Sequence, residues 1–459
     1  EDLEAWLDGY IPSALQRGDV AGAIVVVVKD GRVLLQKGYG YADVEARRAF
    51  DPEHTLFRPG SVSKLVTWTA VMQQVEQGRI DLDRDINAYL DFTIPPHAGR
   101  PVTMRNLMTH TGGFEQSFKD LLLTDPAKVV PLGQFLKGHV PARIFAPGEI
   151  PAYSNFGAAL AGYIVQRVSG QSFDDYVERQ IFGPLGIRHA SFRQPLPVGN
   201  QSQLAKGYQL ASGPPSPYEI FPGPAGNAVL TGADMARFMI AHLQEGEFEG
   251  RRILRAETAR LMHDSPLTIV SPALNRMLLG FYESNRNGRR VIGHEGDTRV
   301  FHSILRLLPD ENVGIFVSVN SAGLDEAGRA IRLDVSDAFI DRYFPRQTPR
   351  STLVPKEVAR VHAALLVGQY DSSQREESSY PSLLNLVLQA DVTTDAAGHI
   401  LASPIAGNNG QPKRYEEIAP YVWGEVGGKS RLAAKVVDGK VVMWAADHDS
   451  PHQVYLPTP

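Results

Sequence analysis

The strand signals in residues 1–345 of this chain stand at the two ends of that region, and this separation constrains the fold more than any other feature. Residues 21–28 form the longest apolar stretch, short and β-branched, and read as a buried strand. A second strand at 33–36 follows across Asp30-Gly31, a strong hairpin signal. The next strand patterns come only at 290–308 and 313–320. Between them, residues 80–230 read as helix and loop, rich in proline and glycine. Two amphipathic helices flank the set: one carries Leu3, Trp6, Leu7, Tyr10, Ile11 and Leu15 near a 3.6 period, the other covers 326–343. Remote strands must close one sheet, with a helical insertion between them. The expected class is α/β (α+β), with a cleft between sheet and insertion.

Residues 346–355, full of proline, arginine, threonine and serine, mark a linker. Beyond it a short helix gives way to short strands at 384–388, 399–403, 433–437 and 440–444, the last two joined by Asp438-Gly439. Residues 356–459 therefore read as a separate small β-barrel or sandwich, behind a first domain of residues 1–345. The formal net charge of −5 provides no basic face for nucleic acid. No run approaches the roughly 18 apolar residues of a membrane span. With no cysteine there is neither a disulfide framework nor a thiolate metal site, and no HExxH or compact His/Asp cluster suggests a metal. No cofactor is expected, and nothing in the sequence sets an oligomeric state.

Chemistry enters at Ser61-Val62-Ser63-Lys64, the only SxxK in the chain. It opens a helical pattern at 65–77, after the turn signal Pro59-Gly60. Positions i and i+3 share a helix face, so Ser61 and Lys64 stack at a helix N-terminus. Backbone N–H groups there favour developing negative charge. A serine needs a base beside it, and a desolvated lysine can be that base. The tetrapeptide alone also arises by chance. Tyr153-Ser154-Asn155, the only YxN, adds weight: it follows Pro147-Gly148 and Pro151 on a loop, ahead of a helix at 156–168 ended by Ser169-Gly170. The phenol can relay a proton and the carboxamide can hold both lysine and substrate. A lone tyrosine is more often loop packing. His294-Glu295-Gly296 reads HxG, as do His97-Ala98-Gly99 and His110-Thr111-Gly112. Context selects His294, which ends a β-like run at 290–292 before the strand at 300–308. Gly296 lets substrate approach the backbone. The N–H groups of Ser61 and Asp297 are candidates for an oxyanion hole, where losing a donor costs about 3 kcal/mol.

Together the three motifs resemble the serine β-lactamase and penicillin-binding-protein superfamily, nearest its class C-like branch of esterases and D-aminopeptidases. Leu107-Met108-Thr109-His110-Thr111-Gly112-Gly113, Pro224-Ala225-Gly226-Asn227 and Thr231-Gly232-Ala233-Asp234-Met235 fit that branch too. The resemblance covers residues 5–343. It implies an antiparallel sheet flanked by helices, an all-helical subdomain, and an acyl-enzyme on Ser61. Lys64, helped by Tyr153, would accept the proton, and Asn155 would orient lysine and substrate. The base assignment in such enzymes is disputed; an adjacent lysine and tyrosine titrate as a pair. The C-terminal region looks similar to the lipocalin-like domains of some of these hydrolases. The expectation there is a passive stabilising or docking module, with gating of the cleft as the alternative.

One departure sets the expected substrate. Where β-lactamases carry lysine and threonine to grip a carboxylate, this chain has His294 and Glu295. Neutral histidine and an added glutamate disfavour an anion. The expectation is therefore an esterase or peptidase acting on a small ester, amide or peptide, with weak β-lactamase activity. Glu295 either faces the pocket, where it can hold an ammonium group, or points to solvent. A true class C-like β-lactamase, a D-alanyl-D-alanine carboxypeptidase, a penicillin sensor that never turns over, and an acyltransferase remain as alternatives. His110 is expected to be a hydrogen-bonded structural residue and His302 to pack at its strand. The chain begins at Glu1, consistent with a removed leader or with trimming. Relatives in the resembled superfamily are mostly exported, so a periplasmic location is expected, with the cytoplasm as the alternative.

Overall fold

The structure is a computed structural model that describes residues 2–117, 122–346, 354–378, 385, 389–406, 412–448 and 450–458. The apolar run at 21–28 is the core of strand β1 (Gly22–Lys29), which follows helix α1 (Leu3–Gly18). Strand β2 (Arg32–Asp43) returns beside it, and β3 (Arg48–Ala49) sits at the edge. Asp30 and Gly31 both adopt left-handed φ, 50° and 73°, the geometry a two-residue hairpin requires. The other strands of this sheet are β4 (Tyr282–Glu283), β5 (Ile292–Asp297), β6 (His302–Leu308) and β7 (Val313–Val319). The sheet order is β3-β2-β1-β7-β6-β5-β4, antiparallel throughout. Ala23 pairs with Val319 and Lys29 with Val313, so the two ends of the domain do close one sheet.

The run at 21–28 is unbroken because β1 is covered on both faces. Ala23, Val25 and Val27 join Leu7 and Ile11 of α1 and Ile331, Val335 and Phe339 of a helix at Ala327–Tyr343. Ile24, Val26 and Val28 join a second cluster with Leu65 and Trp68. All five side chains from Ile24 to Val28 are fully buried, each contributing about 1.5–3 kcal/mol. The second cluster is built on α2 (Lys64–Glu76) and α3 (Asn155–Ser169), the latter stopped by Gly170 in a left-handed conformation. Helices α4 (Gly232–Leu243) and α5 (Ala256–His263) complete that side, and the helix at Ala327–Tyr343 is α6. This is the expected mixed architecture of an antiparallel sheet between helices.

Helix α7 (Lys356–Leu366) precedes eight strands: β8 (Gly368–Ser372), β9 (Ala390–Thr394), β10 (Ile400–Ala406), β11 (Pro412–Ala419), β12 (Val422–Glu425), β13 (Arg431–Val437), β14 (Lys440–Ala446) and β15 (Tyr455–Pro457). They close into a barrel, with Tyr370 opposite Pro457 at the seam. The strand expected at 384–388 lies outside the described residues except for 385. Alternation sorts the side chains. Tyr370, Tyr415, Trp423, Leu432, Trp444 and Tyr455 fill the interior. Val422, Ala433, Met443, Ala445 and Val454 cluster instead with Ile150, Ile269, Val270 and Leu274 of the first domain. The barrel is thus welded to the sheet domain through an apolar face. No helix among the described residues is long and apolar enough to cross a membrane.

Candidate active site

Ser61 lies in a 3-10 turn, Gly60–Ser63, that leads directly into α2. Gly60 has φ 55°, and a Cβ there would come within 2.7 Å of Asp297 N. A Cβ on Gly296 would meet Pro59 O at 1.9 Å and Ser61 N at 2.8 Å. Two glycines therefore let β5 lie flush against the SxxK turn, which brings the N–H groups of Ser61 and Asp297 to one place. His294 was expected to end its strand; the ladder instead runs on through Asp297 paired with His302, so His294 is interior to β5. This follows from Gly296, whose missing side chain lets the strand continue under the turn.

Lys64 is completely buried on α2. Its Nζ lies 2.9 Å from Ser61 Oγ, 2.7 Å from Asn155 Oδ1 and 2.6 Å from Ala225 O. Desolvation holds its ammonium well below the usual lysine range. A neutral amine has two N–H donors and one lone pair. With Asn155 and Ala225 taking the donors, the lone pair is left for the Ser61 hydroxyl proton.

Tyr153 sits over the same group, with Lys64 Nζ 4.9 Å from its ring centroid. Burial pushes the phenol up, and the approach of Ser61 offsets only part of that shift. The pair that sequence left coupled is thus polarised: the lysine loses its proton readily and the tyrosine keeps its own. The tyrosine's loop is braced by His110. Ala152 N donates to His110 O at 2.8 Å, Ser154 N donates to His110 Nδ1 at 3.1 Å, and the His110 ring lies 4.3 Å from the Tyr153 ring. His110 is structural, as expected. His302 packs within β6 with Nδ1 2.6 Å from Asp297 Oδ1.

His294 is buried against Tyr282 (4.9 Å) and Tyr153 (6.2 Å). Its Nδ1 donates to Glu295 O, which directs the Nε2 lone pair inward. Desolvation, then the nearby Lys64, lower its pKa to about 3, so it is neutral at working pH. Glu295 follows neither expectation. It turns to the opposite sheet face and pairs with Arg332 of α6 at 3.0 Å, as alternation on β5 requires.

The sequence reading missed a contribution from the barrel. Tyr153 N donates to His452 O at 3.0 Å, and Ala152 and Gln453 form an antiparallel bridge. The His452 ring lies 5.6 Å from Tyr153 and 5.5 Å from Tyr282, and Ser373 Oγ donates to Pro151 O at 2.6 Å. The only available signal was the segment between β14 and β15, too long for a tight hairpin and bearing His448, Pro451 and His452.

Buried neutral histidines have a consequence for stability. His294 and His263 both fall to about 3 through burial, and His263 Nε2 lies 3.0 Å from His242 Nδ1. The unfolded chain protonates near 6.5, so it binds the extra protons as pH falls below that value, and stability is lost. Each such histidine contributes about 1.4 kcal/mol per pH unit below 6.5, down to about 3. Urea midpoints should therefore drop steeply from pH 6.5 to 4.5. His263→Gln should flatten that slope by about one proton; an unchanged slope would contradict the assignment.

A family model described as Beta-lactamase matches residues 7–338. Protein flp of Staphylococcus aureus (strain N315) is 26% identical over 334 residues, covering 70% of this chain and 63% of its own. The chain thus spans less than two thirds of that relative's length. Penicillin-binding protein 4 of Amycolatopsis lactamdurans is 26% identical over 377 residues, covering 77% of this chain and 93% of its own. Two solved structures share the fold over the whole chain, barrel included. The octameric penicillin-binding protein homologue from Pyrococcus abyssi has a TM-score of 0.64 at 21% identity, covering 98% of this chain and 99% of that one. SurE with D-Leu has a TM-score of 0.66 at 20% identity, covering 99% of each.

Proposed function

The chain belongs to the Beta-lactamase family, and from that premise we propose that it is a serine hydrolase cleaving esters or amides through an acyl-Ser61 intermediate. The observation that carries the reading is the threefold contact of buried Lys64 with Ser61, Asn155 and Ala225. Neutral Lys64 takes the Ser61 proton as Oγ attacks the carbonyl. The N–H groups of Ser61 and Asp297 receive the oxyanion. Tyr153, kept protonated by burial, passes a proton to the leaving group, and Lys64 returns one to the phenol. Water then attacks the acyl ester by the same path reversed, freeing the acid and Ser61.

The substrate class follows from the third motif. His294 is neutral and Glu295, an acid, is turned away to Arg332, so the third motif supplies no cation for a substrate carboxylate. Three rings, of His294, Tyr282 and His452, face the Tyr153 side of the site. This favours uncharged acyl donors, hence an esterase or peptidase with weak β-lactamase activity. Short p-nitrophenyl esters should turn over much faster than a chromogenic cephalosporin, and Ser61→Ala should abolish both. Brisk cephalosporin turnover would overturn the substrate reading. Activity surviving in Ser61→Ala would overturn the nucleophile.

A further inference from the structure

A backbone N–H donor is only as well aimed as its peptide plane, and the plane carrying Asp297 N–H is held from behind. Thr298 N donates to Phe301 O at 2.9 Å. In an antiparallel pair the bonded positions alternate, so Gly296 exchanges ladder bonds with Ser303. The N–H groups of Glu295 and Asp297 then point away from β6. Glu295 N does so, donating to Tyr282 Oη at 2.7 Å. The Asp297 N–H is thereby left directed at the SxxK turn.

The carbonyl of that same peptide, Gly296 O, accepts from Arg332 Nη1 at 2.9 Å. Arg332 Nη1 also reaches Ser303 O at 2.8 Å, spanning both strands of the ladder. The arginine is 3% exposed. Its guanidinium also pairs with Glu295 at 3.0 Å and Asp297 at 2.9 Å. Left alone, these two carboxylates would repel an oxyanion held by Asp297 N.

We propose that Arg332 is a positioning residue of the oxyanion hole: from α6 it grips the carbonyl of the Gly296–Asp297 peptide, which fixes and polarises the Asp297 N–H, and together with Arg329, 3.5 Å from Asp297, it offsets the carboxylates on either side of Gly296. The proposal rests on the acyl-Ser61 reading. A cation on a peptide carbonyl makes the opposite N–H a stronger donor, and hydrogen-bonded chains reinforce one another in this way. The low dielectric of a buried site enlarges both effects.

The test uses the full chain with Arg332→Lys and Arg332→Gln. All rates are normalised to Ser61 labelled stoichiometrically by a fluorophosphonate, so unfolded protein does not enter. With a p-nitrophenyl ester, kcat should fall about 10- to 100-fold, a part of the 10²–10³ that loss of a whole donor causes. KM should move by no more than about twofold. Phenylboronic acid, whose tetrahedral adduct on Ser61 places an oxygen in the hole, should weaken by the same factor as kcat. Lysine keeps the charge but not the fork, and glutamine keeps a donor but not the charge, so both should be impaired and lysine less so. Unchanged kcat and boronate affinity per labelled site would overturn the proposal. Failure of wild-type Ser61 to label would instead overturn the nucleophile on which it rests.

Discussion

The Lys64→Met enzyme should lose about 10⁴ in kcat/KM toward esters, near the top of the range for general-base catalysis, and yet be more stable than the wild type. Both outcomes have one cause. Lys64 is fully buried and its folded pKa is depressed, whereas the unfolded chain titrates near 10.5. Between those two values the unfolded state binds the extra proton, so stability rises with pH. The penalty is absent above 10.5 and complete below the folded pKa. Methionine has similar length and no charge to desolvate, so it removes the penalty and the base together. The rate of the wild type should fall as pH drops through the folded pKa of Lys64. Arginine at 64, never neutral, should be as inactive as methionine. Tyr153→Phe separates the two roles: it should spare p-nitrophenyl esters, whose leaving group departs without a proton, and impair alkyl esters. If Tyr153→Phe were as damaging as Lys64→Met on the nitrophenyl ester, the tyrosine would be the base.

The motifs were legible because each is local. Ser61 and Lys64 need only one helical turn, and Tyr153 and Asn155 one loop ahead of a helix, so their spacing carries their geometry. The run at 21–28 was legible because burial on both faces demands an unbroken apolar strand. Glu295 was misplaced because nothing local says which face of β5 packs on α6, and its partner Arg332 lies on another element. His294 was taken for a strand end for a related reason: the strand continues beneath the SxxK turn to Asp297 only because Gly296 and Gly60 remove the clash. His452 was beyond reach altogether. It meets Tyr153 through the docking of two domains, and the residues that dock them, such as Ala433 and Val454, look in sequence like ordinary outward positions of a barrel. Local pattern specifies elements and motifs, while contacts between remote elements depend on the assembled surface.

The last expected effect is of this second kind. Ala433→Arg should lower kcat/KM toward alkyl esters, whose leaving group needs the Tyr153 proton, at least about 100-fold, although the residue belongs to a barrel that performs no chemistry in the proposed mechanism. Ala433 is fully buried on the barrel's outer face, against the cluster that includes Leu274 and Ile150, while its neighbours Leu432 and Ala434 face the barrel core. A guanidinium there has no partner and costs several kcal/mol to bury, so the interface opens while the barrel interior stays intact. Opening it removes two hydrogen bonds that hold residues 151–153 to the barrel, those from Tyr153 N to His452 O and from Ser373 Oγ to Pro151 O. His110 still holds the neighbours Ala152 and Ser154. Without its own backbone bond to the barrel, Tyr153 drifts from its position over Lys64, and a displacement of about 1 Å can cost a hundredfold. Limited proteolysis within 346–355 and the solution radius of gyration would report separation of the domains, and alkyl-ester kinetics the consequence. Separated domains with unchanged kinetics would return the barrel to the role of a passive module. Loss of rate on separation, with both domains still folded, would make it a working wall of the active site.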